Sequence, residues 1–315
     1  MALAFVFPGQ GSQSVGMLGE LAAQNGVVRQ TYEEAADALG YDLWALTAAG
    51  PAEHLNSTEC TQPAMLAAGV ATLRVWKEHG GAAPDMVAGH SLGEYTALVC
   101  AGALRFGPAL ALVRERGRLM QAAVPAGQGA MAAVLGLDDA AVEASCREAA
   151  QGEVVEAVNY NAPGQVVIAG GAQAVERAMA AAKGRGAKRC VLLPVSVPAH
   201  SSLLRAAEAQ FRLRLAQIAV EAPGSRYFSA VDAAEHGTGE GIRAILERQL
   251  ASPVRWTSTV QALTAAGARL IIECGPGKVL TALNRRIDRG ADVGCMAVED
   301  GASLQLALAA AKEKG

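Results

Sequence analysis

The most specific chemical pattern in the chain is Gly89-His90-Ser91-Leu92-Gly93. A serine with small residues two positions to either side, between a short apolar strand (86–88) and a helix (92–101), predicts a tight strand-to-helix turn that presents the hydroxyl. The helix N-terminus favours negative charge there, and the Leu92 N–H, next after the serine, is a natural donor to an oxyanion. A glycine-rich turn with a capping serine uses the same residues. The strand–turn–helix order favours the nucleophile.

Such a serine needs a base, usually histidine, and five histidines are available. His54 lies in a polar loop, His79 closes a helix before Gly80-Gly81, His236 sits in a Gly-rich acidic loop, and the turn fixes His90 beside the serine. His200 follows Pro194-Val195-Ser196-Val197-Pro198-Ala199, a rigid approach that suits a catalytic base; a buried structural histidine is the competing reading. Two glycine-rich loops remain. Gly9-Gln10-Gly11-Ser12-Gln13-Ser14 fails the dinucleotide fingerprint at Ser14 and reads as a loop whose N–H groups face an oxyanion. Gly275-Pro276-Gly277-Lys278 lacks phosphate-loop spacing and reads as a helix start. Arg116 interrupts an inward helical stripe of Ala109, Leu112, Val113 and Met120, whereas Arg114 and Arg118 fall off it. A buried guanidinium needs a planar anionic partner, either an internal Asp or Glu or the carboxylate of a ligand.

The elements that must position these residues alternate between strand and helix. A strand at 3–7 is followed by helices, including 63–79 and 108–121, the latter with Pro108 in its first turn. Next come a strand at 130–136, a helix at 138–150 capped by Asp138, a strand at 154–159, a turn at 161–164, a strand at 165–169, a helix at 172–183 and a strand at 188–193. That β-α-β-β-α-β order is the split layout of ferredoxin-like units. It predicts a small subdomain at 125–197 inserted into a larger one made of 1–124 and 198–315. The return predicts helices near 201–218, 241–251 and 254–266, a strand at 269–273 and a further helix, hence an α/β core with a mostly parallel sheet.

Composition narrows the function classes. Hydrophobic residues are 51% of the 315 and charged residues 18%, so the chain can bury a large core; aromatics are only 4%, so that core is aliphatic. Lys and Arg number 27 against 30 Asp and Glu, a formal net charge of −3 with no basic block, which points away from nucleic acid and membrane surfaces. Six scattered cysteines form no metal-ligand spacing, so no metal is expected, and they read as reduced thiols of a cytoplasmic protein. No apolar run approaches the ~18 residues of a membrane span, and residues 1–7 lack the basic start of a signal peptide.

Taken together the motifs resemble the malonyl-CoA:acyl carrier protein transacylases of bacterial fatty acid synthesis, over essentially the whole chain. The resemblance rests on Phe7-Pro8-Gly9-Gln10-Gly11-Ser12-Gln13, Gly89-His90-Ser91-Leu92-Gly93-Glu94-Tyr95, Arg116-Gly117, Asn161-Ala162-Pro163-Gly164-Gln165, Val195 to His200, Arg248-Gln249-Leu250 and Gly275 to Lys278. It implies a hydrolase-like core with a ferredoxin-like insert and the site between them. It further implies Ser91 as nucleophile, His200 as base, and N–H groups of Gln10 and Leu92 as the oxyanion hole. Arg116 would hold the malonyl carboxylate, Asn161 line the cleft, and the Gln249 carbonyl orient His200, a dyad in place of a triad. The implied partners are malonyl-CoA and holo acyl carrier protein, with coenzyme A a substrate portion rather than a cofactor, and a monomer is expected. A serine thioesterase or hydrolase of the same elbow type, a transacylase serving polyketide synthesis and a non-catalytic carrier-binding module are the alternatives. The last is disfavoured because every catalytic position is filled.

Overall fold

Strand β1 (Ala2–Phe7) is apolar along its length and nearly all of it is buried, the pattern of a central parallel strand covered on both faces. In the computed structural model, which describes residues 2–125, 127–195, 197–288 and 293–314, β1 lies inside a six-stranded sheet. The other strands are β2 (Met86–Gly89), β7 (Arg226–Phe228), β8 (Glu235–His236), β9 (Ala268–Cys274) and β10 (Gly294–Val298), in the order β10-β9-β1-β2-β7-β8. All pairings are parallel except β7 with β8.

Helices cover both faces. Before β2 run α1 (Gly19–Gln24), α2 (Gly26–Leu39), α3 (Leu43–Ala49), α4 (Ala52–Leu55) and α5 (Thr58–Glu78). Between β2 and the second sheet lie α6 (Gly93–Cys100) and α7 (Phe106–Ala122). Helix α5 starts five residues before the expected Pro63, which sits inside it. The helical bond lost at proline, with its steric cost of about 3 kcal/mol, is outweighed by burial of nearly the whole stretch from Cys60 to Leu73.

The second sheet is antiparallel, with β3 (Gly129–Leu135), β4 (Val155–Ala162), β5 (Gln165–Gly171) and β6 (Arg189–Leu192) in the order β4-β5-β3-β6. Helices α8 (Asp139–Ala150) and α9 (Ala172–Gly184) pack on one face, and the Asp138 side chain caps α8 through the Ala141 N–H at 2.8 Å. The expected β-α-β-β-α-β order is therefore present. The expected turn at 161–164 is shorter: β4 continues through Ala162 with two irregularities, which leaves Pro163-Gly164 as the connection. Strand β4 also docks on the core, where Tyr160 N–H donates to Val254 O at 2.9 Å and Val254 N–H to Val158 O at 2.8 Å.

The remaining chain supplies α10 (Arg205–Leu215), α11 (Gly239–Arg248), α12 (Trp256–Ala265), α13 (Val279–Ile287) and α14 (Gly301–Lys314). Two of the long expected helices are broken: a 3-10 turn at Ser202–Leu204 precedes α10, and another at Gln249–Ala251 follows α11. Both breaks border the loop that carries His200. Among the described residues no helix is long and apolar enough to cross a membrane.

Candidate active site

The turn between β2 and α6 puts Ser91 in the left-handed region at φ 54°, uncommon for a residue with a Cβ and a sign of stored strain. The flanking glycines are required by contact. A Cβ on Gly93 would stand 2.0 Å from the Phe7 carbonyl oxygen, and one on Gly89 would stand 1.9 Å from the Gly93 carbonyl carbon. Small residues at both places let the turn close against β1 and aim the hydroxyl outward.

His200 meets it from the loop after residue 197, its own φ at 65°. Nε2 lies 2.7 Å from Ser91 Oγ, while Nδ1 lies 3.1 Å from both the Gln249 and the Ser252 carbonyl oxygens. Carbonyls only accept, so Nδ1 carries the proton and Nε2 is left free to accept from the serine. The ring is 3% exposed. Burial, and then the cation of Arg116, lowers its pKa to about 3, so the imidazole is neutral at pH 7 and ready to take a proton. A carboxylate from β4 braces the same loop: Glu156 accepts from the Ser202 N–H and hydroxyl, each at 2.7 Å.

Arg116, on α7, is 1% exposed and points at the nucleophile. Nη2 donates to Ser91 Oγ at 3.2 Å and Nη1 to Gln62 Oε1 at 3.0 Å, the guanidinium carbon stands 5.5 Å from the Tyr95 ring centre, and Nε has no partner. Among the described residues no Asp or Glu pairs with it. Of the two partners open to a buried guanidinium, the internal carboxylate is missing. A cation held by neutral groups in a dry place is a site for an anion.

These groups meet in a cavity of about 420 Å³ lined by Gln10, Leu92, Arg116, Met131 and Asn159 along with the serine and histidine. Leu92 caps α6, so its N–H is among the free donors of a helix start. Gln13 steadies the loop that carries Gln10: its Oε1 accepts from the Gly11 N–H at 2.7 Å and its Nε2 donates to Asn56 Oδ1 at 2.8 Å. Among the described residues no cluster of three metal-ligating side chains occurs.

The acyl transferase domain profile matches residues 4–306. The chain belongs to the acyl transferase domain family. It is 57% identical to the malonyl CoA-acyl carrier protein transacylase of Escherichia coli O157:H7, over 90% of this chain and 92% of that one. The crystal structure of an acyl carrier protein S-malonyltransferase from Vibrio cholerae matches with a TM-score of 0.94 and 53% identity, over 97% of this chain and 99% of that one. A malonyl-transacylase in complex with a type II PKS acyl-carrier protein matches with a TM-score of 0.96 and 52% identity, over 98% and 100%.

For an acyl transferase the sequence reading located most of the cleft. Ser91, His200, Arg116 and the Gln249 carbonyl converge, and Gln10 and Leu92 line the same cavity. Asn161 stands behind it, its Oδ1 2.8 Å from His90 Nε2, and the asparagine that lines the cavity from β4 is Asn159. Ser196, within the motif leading to His200, lies outside the described residues. The other histidines are engaged or elsewhere: His79 with Asn25, His236 with Asp232, and His54 exposed on α4. Gln62 and the Ser252 carbonyl were missed. Gln62 carried a readable signal, a polar residue inside the buried run of α5; a backbone carbonyl carries none.

Proposed function

We infer that the protein is a malonyl-CoA:acyl carrier protein transacylase that carries the malonyl group as an ester on Ser91. The observation that carries the reading is the Ser91 oxygen, shared by a neutral imidazole at 2.7 Å and a buried guanidinium that lacks a carboxylate partner at 3.2 Å.

Malonyl-CoA enters with its carboxylate on Arg116 and its thioester carbonyl over Ser91. His200 Nε2 takes the serine proton as Oγ attacks, and the tetrahedral oxyanion points at the N–H groups of Gln10 and Leu92. The C–S bond breaks, coenzyme A leaves as the thiolate and collects the proton from His200, and a malonyl-serine ester remains. The phosphopantetheine thiol of holo acyl carrier protein then gives its proton to His200 and attacks the ester. The C–O bond breaks, and Ser91 recovers the proton. No step calls for a cofactor. The exchange is nearly balanced in free energy, so the site has mainly to exclude water.

The cleft wall at 125–197 acts as a small subdomain against the 1–124 and 198–315 core and carries the carrier-protein side; Ala126 and Ser196, near its ends, lie outside the described residues. Among the described residues no cysteine forms a disulfide, in keeping with a reducing, cytoplasmic setting. One chain supplies every residue named in the mechanism, in keeping with a working monomer. A carrier protein of polyketide synthesis is a second acceptor, favoured by the likeness to a transacylase solved with such a carrier.

Intact mass after mixing with malonyl-CoA tests the reading. The parent gains one malonyl group, Ser91→Ala gains none, and His200→Ala gains it slower by a factor on the order of 10² to 10⁴. An unlabelled parent or a labelled alanine variant overturns it.

A further inference from the structure

The peptide unit between Ser91 and Leu92 carries two groups that matter to the reaction. Its N–H, on Leu92, is one of the free donors at the start of α6, and its carbonyl oxygen, on Ser91, points the opposite way. The unit is planar, so whatever holds the oxygen also aims the N–H. It hangs from a strained residue, Ser91 at φ 54°, and a rotation that relieved the strain would swing the N–H with it.

Two donors hold that oxygen. One is the Glu94 N–H at 3.1 Å, which belongs to the first turn of the elbow helix itself. The other comes from a separate segment: Gln249 Nε2 donates at 2.9 Å. Gln249 is 1% exposed, and its side-chain oxygen is buried with no partner among the described residues. An orphaned amide oxygen is a net cost that a methionine in the same place would avoid. Flipping the amide would set that oxygen against the Ser91 carbonyl, so the bond to the elbow fixes the orientation. Gln249 thereby holds the nucleophile's backbone with its side chain and the ring of the base with its main-chain carbonyl.

We propose that Gln249 is a positioning residue for the oxyanion hole, its side-chain amide holding the Ser91 carbonyl so that the Leu92 N–H stays aimed at the oxyanion. The inference rests on the reading of Ser91 as nucleophile and the Leu92 N–H as oxyanion donor. A hydrogen bond to the carbonyl also polarises the peptide unit and strengthens its N–H as a donor.

The test is Gln249→Met, which removes the amide and keeps the main chain. That main chain is fixed independently: the Gln249 N–H donates to Leu246 O at the end of α11, and the Gln249 carbonyl accepts from the Ser252 N–H at 3.3 Å. Losing an oxyanion donor outright costs about 10²–10³ in kcat, so loosening one should lower kcat for malonyl transfer about 10- to 100-fold. KM should stay within about twofold, because the oxyanion forms only on the way through the transition state. A lower Tm with kcat unchanged marks a merely structural amide and overturns the proposal, as does a loss confined to KM.

The second readout is the affinity for phenylboronic acid. Ser91 Oγ adds to boron, a B–O bond forms, the serine proton passes to His200, and the tetrahedral boronate anion mimics the oxyanion intermediate. Its affinity should fall by about the same factor as kcat. Unchanged affinity overturns the proposal even where kcat falls, since the loss then lies with the base. The boronate adds to Ser91 whatever acyl group the enzyme takes. A parent that binds it but refuses malonyl-CoA thus sinks the substrate assignment, while the affinity ratio still decides this inference. If Gln249→Met does not fold, Gln249→Leu also removes the amide and is held to the same two outcomes.

Discussion

Arg116 is the residue on which acyl choice turns. Its planar fork has one free N–H at Nε and another, at Nη2, shared with the serine oxygen, so a substrate carboxylate finds donors already in place. Charge-assisted bonds are worth roughly 1.5–3 kcal/mol each, so a bidentate pair separates malonyl from acetyl by about 10²-fold or more. Arg116→Ala should therefore lose most malonyl transfer while acetyl transfer holds or rises, and Arg116→Lys should recover only part, offering a point charge for a fork. The kcat/KM ratio for malonyl-CoA over acetyl-CoA in the three proteins measures this. An unmoved ratio would make Arg116 a structural ion. The arginine was legible because a charge stood in an apolar stripe. Gln62, which holds its other side, also stands as a polar residue in a buried run, that of α5, but being neutral it does not call for a charged partner. The Gln249 amide was hidden further, since its hold on the Ser91 carbonyl exists only once the fold brings the two together.

At the scale of elements, the second sheet is tied to the base by side chains as well as by packing. Strand β4 reaches the core at Val254, Glu156 clamps Ser202 two residues after His200, and Asn161 holds His90. A carrier protein that delivers its thiol to Ser91 has to pass this wall. Hydrogen exchange should thus show protection on adding holo carrier protein in β3 to β6 and at the elbow; protection confined to the far side of the core sheet would contradict the assignment. The order of this unit was readable because three of its four strands are long and its helices amphipathic, with Asp138 as a cap. Strands β7, β8 and β10 were not: the first two have three and two residues, and β10 is a half-exposed edge. The breaks beside His200 were also invisible, since apolar periodicity runs through both a 3-10 turn and the helix next to it.

Over the whole molecule, two buried titrations pull stability in opposite directions with pH. His200, lowered from 6.5 to about 3, binds its proton less readily folded than unfolded, so stability is full above pH 6.5 and is lost as pH falls toward 3. Glu94, raised from 4.5 to about 7 chiefly by burial, does the reverse: its contribution is full below pH 4.5 and is lost as pH rises through 7. Between pH 4.5 and 6.5 they offset each other. Glu94→Gln removes one side, so its Tm, followed by calorimetry, should gain on the parent's as pH rises from 4.5 to 7. A constant difference across that range would show that Glu94 does not titrate there.

The fate of the isolated acyl-enzyme tests the central claim most directly. Protein loaded with malonyl-CoA, freed of excess donor and mixed with holo acyl carrier protein should pass its malonyl group to the carrier, seen as one malonyl mass gained there and lost from Ser91, with little free malonate. Prompt release of malonate with an unmodified carrier would contradict the account and identify a hydrolase built on the same elbow.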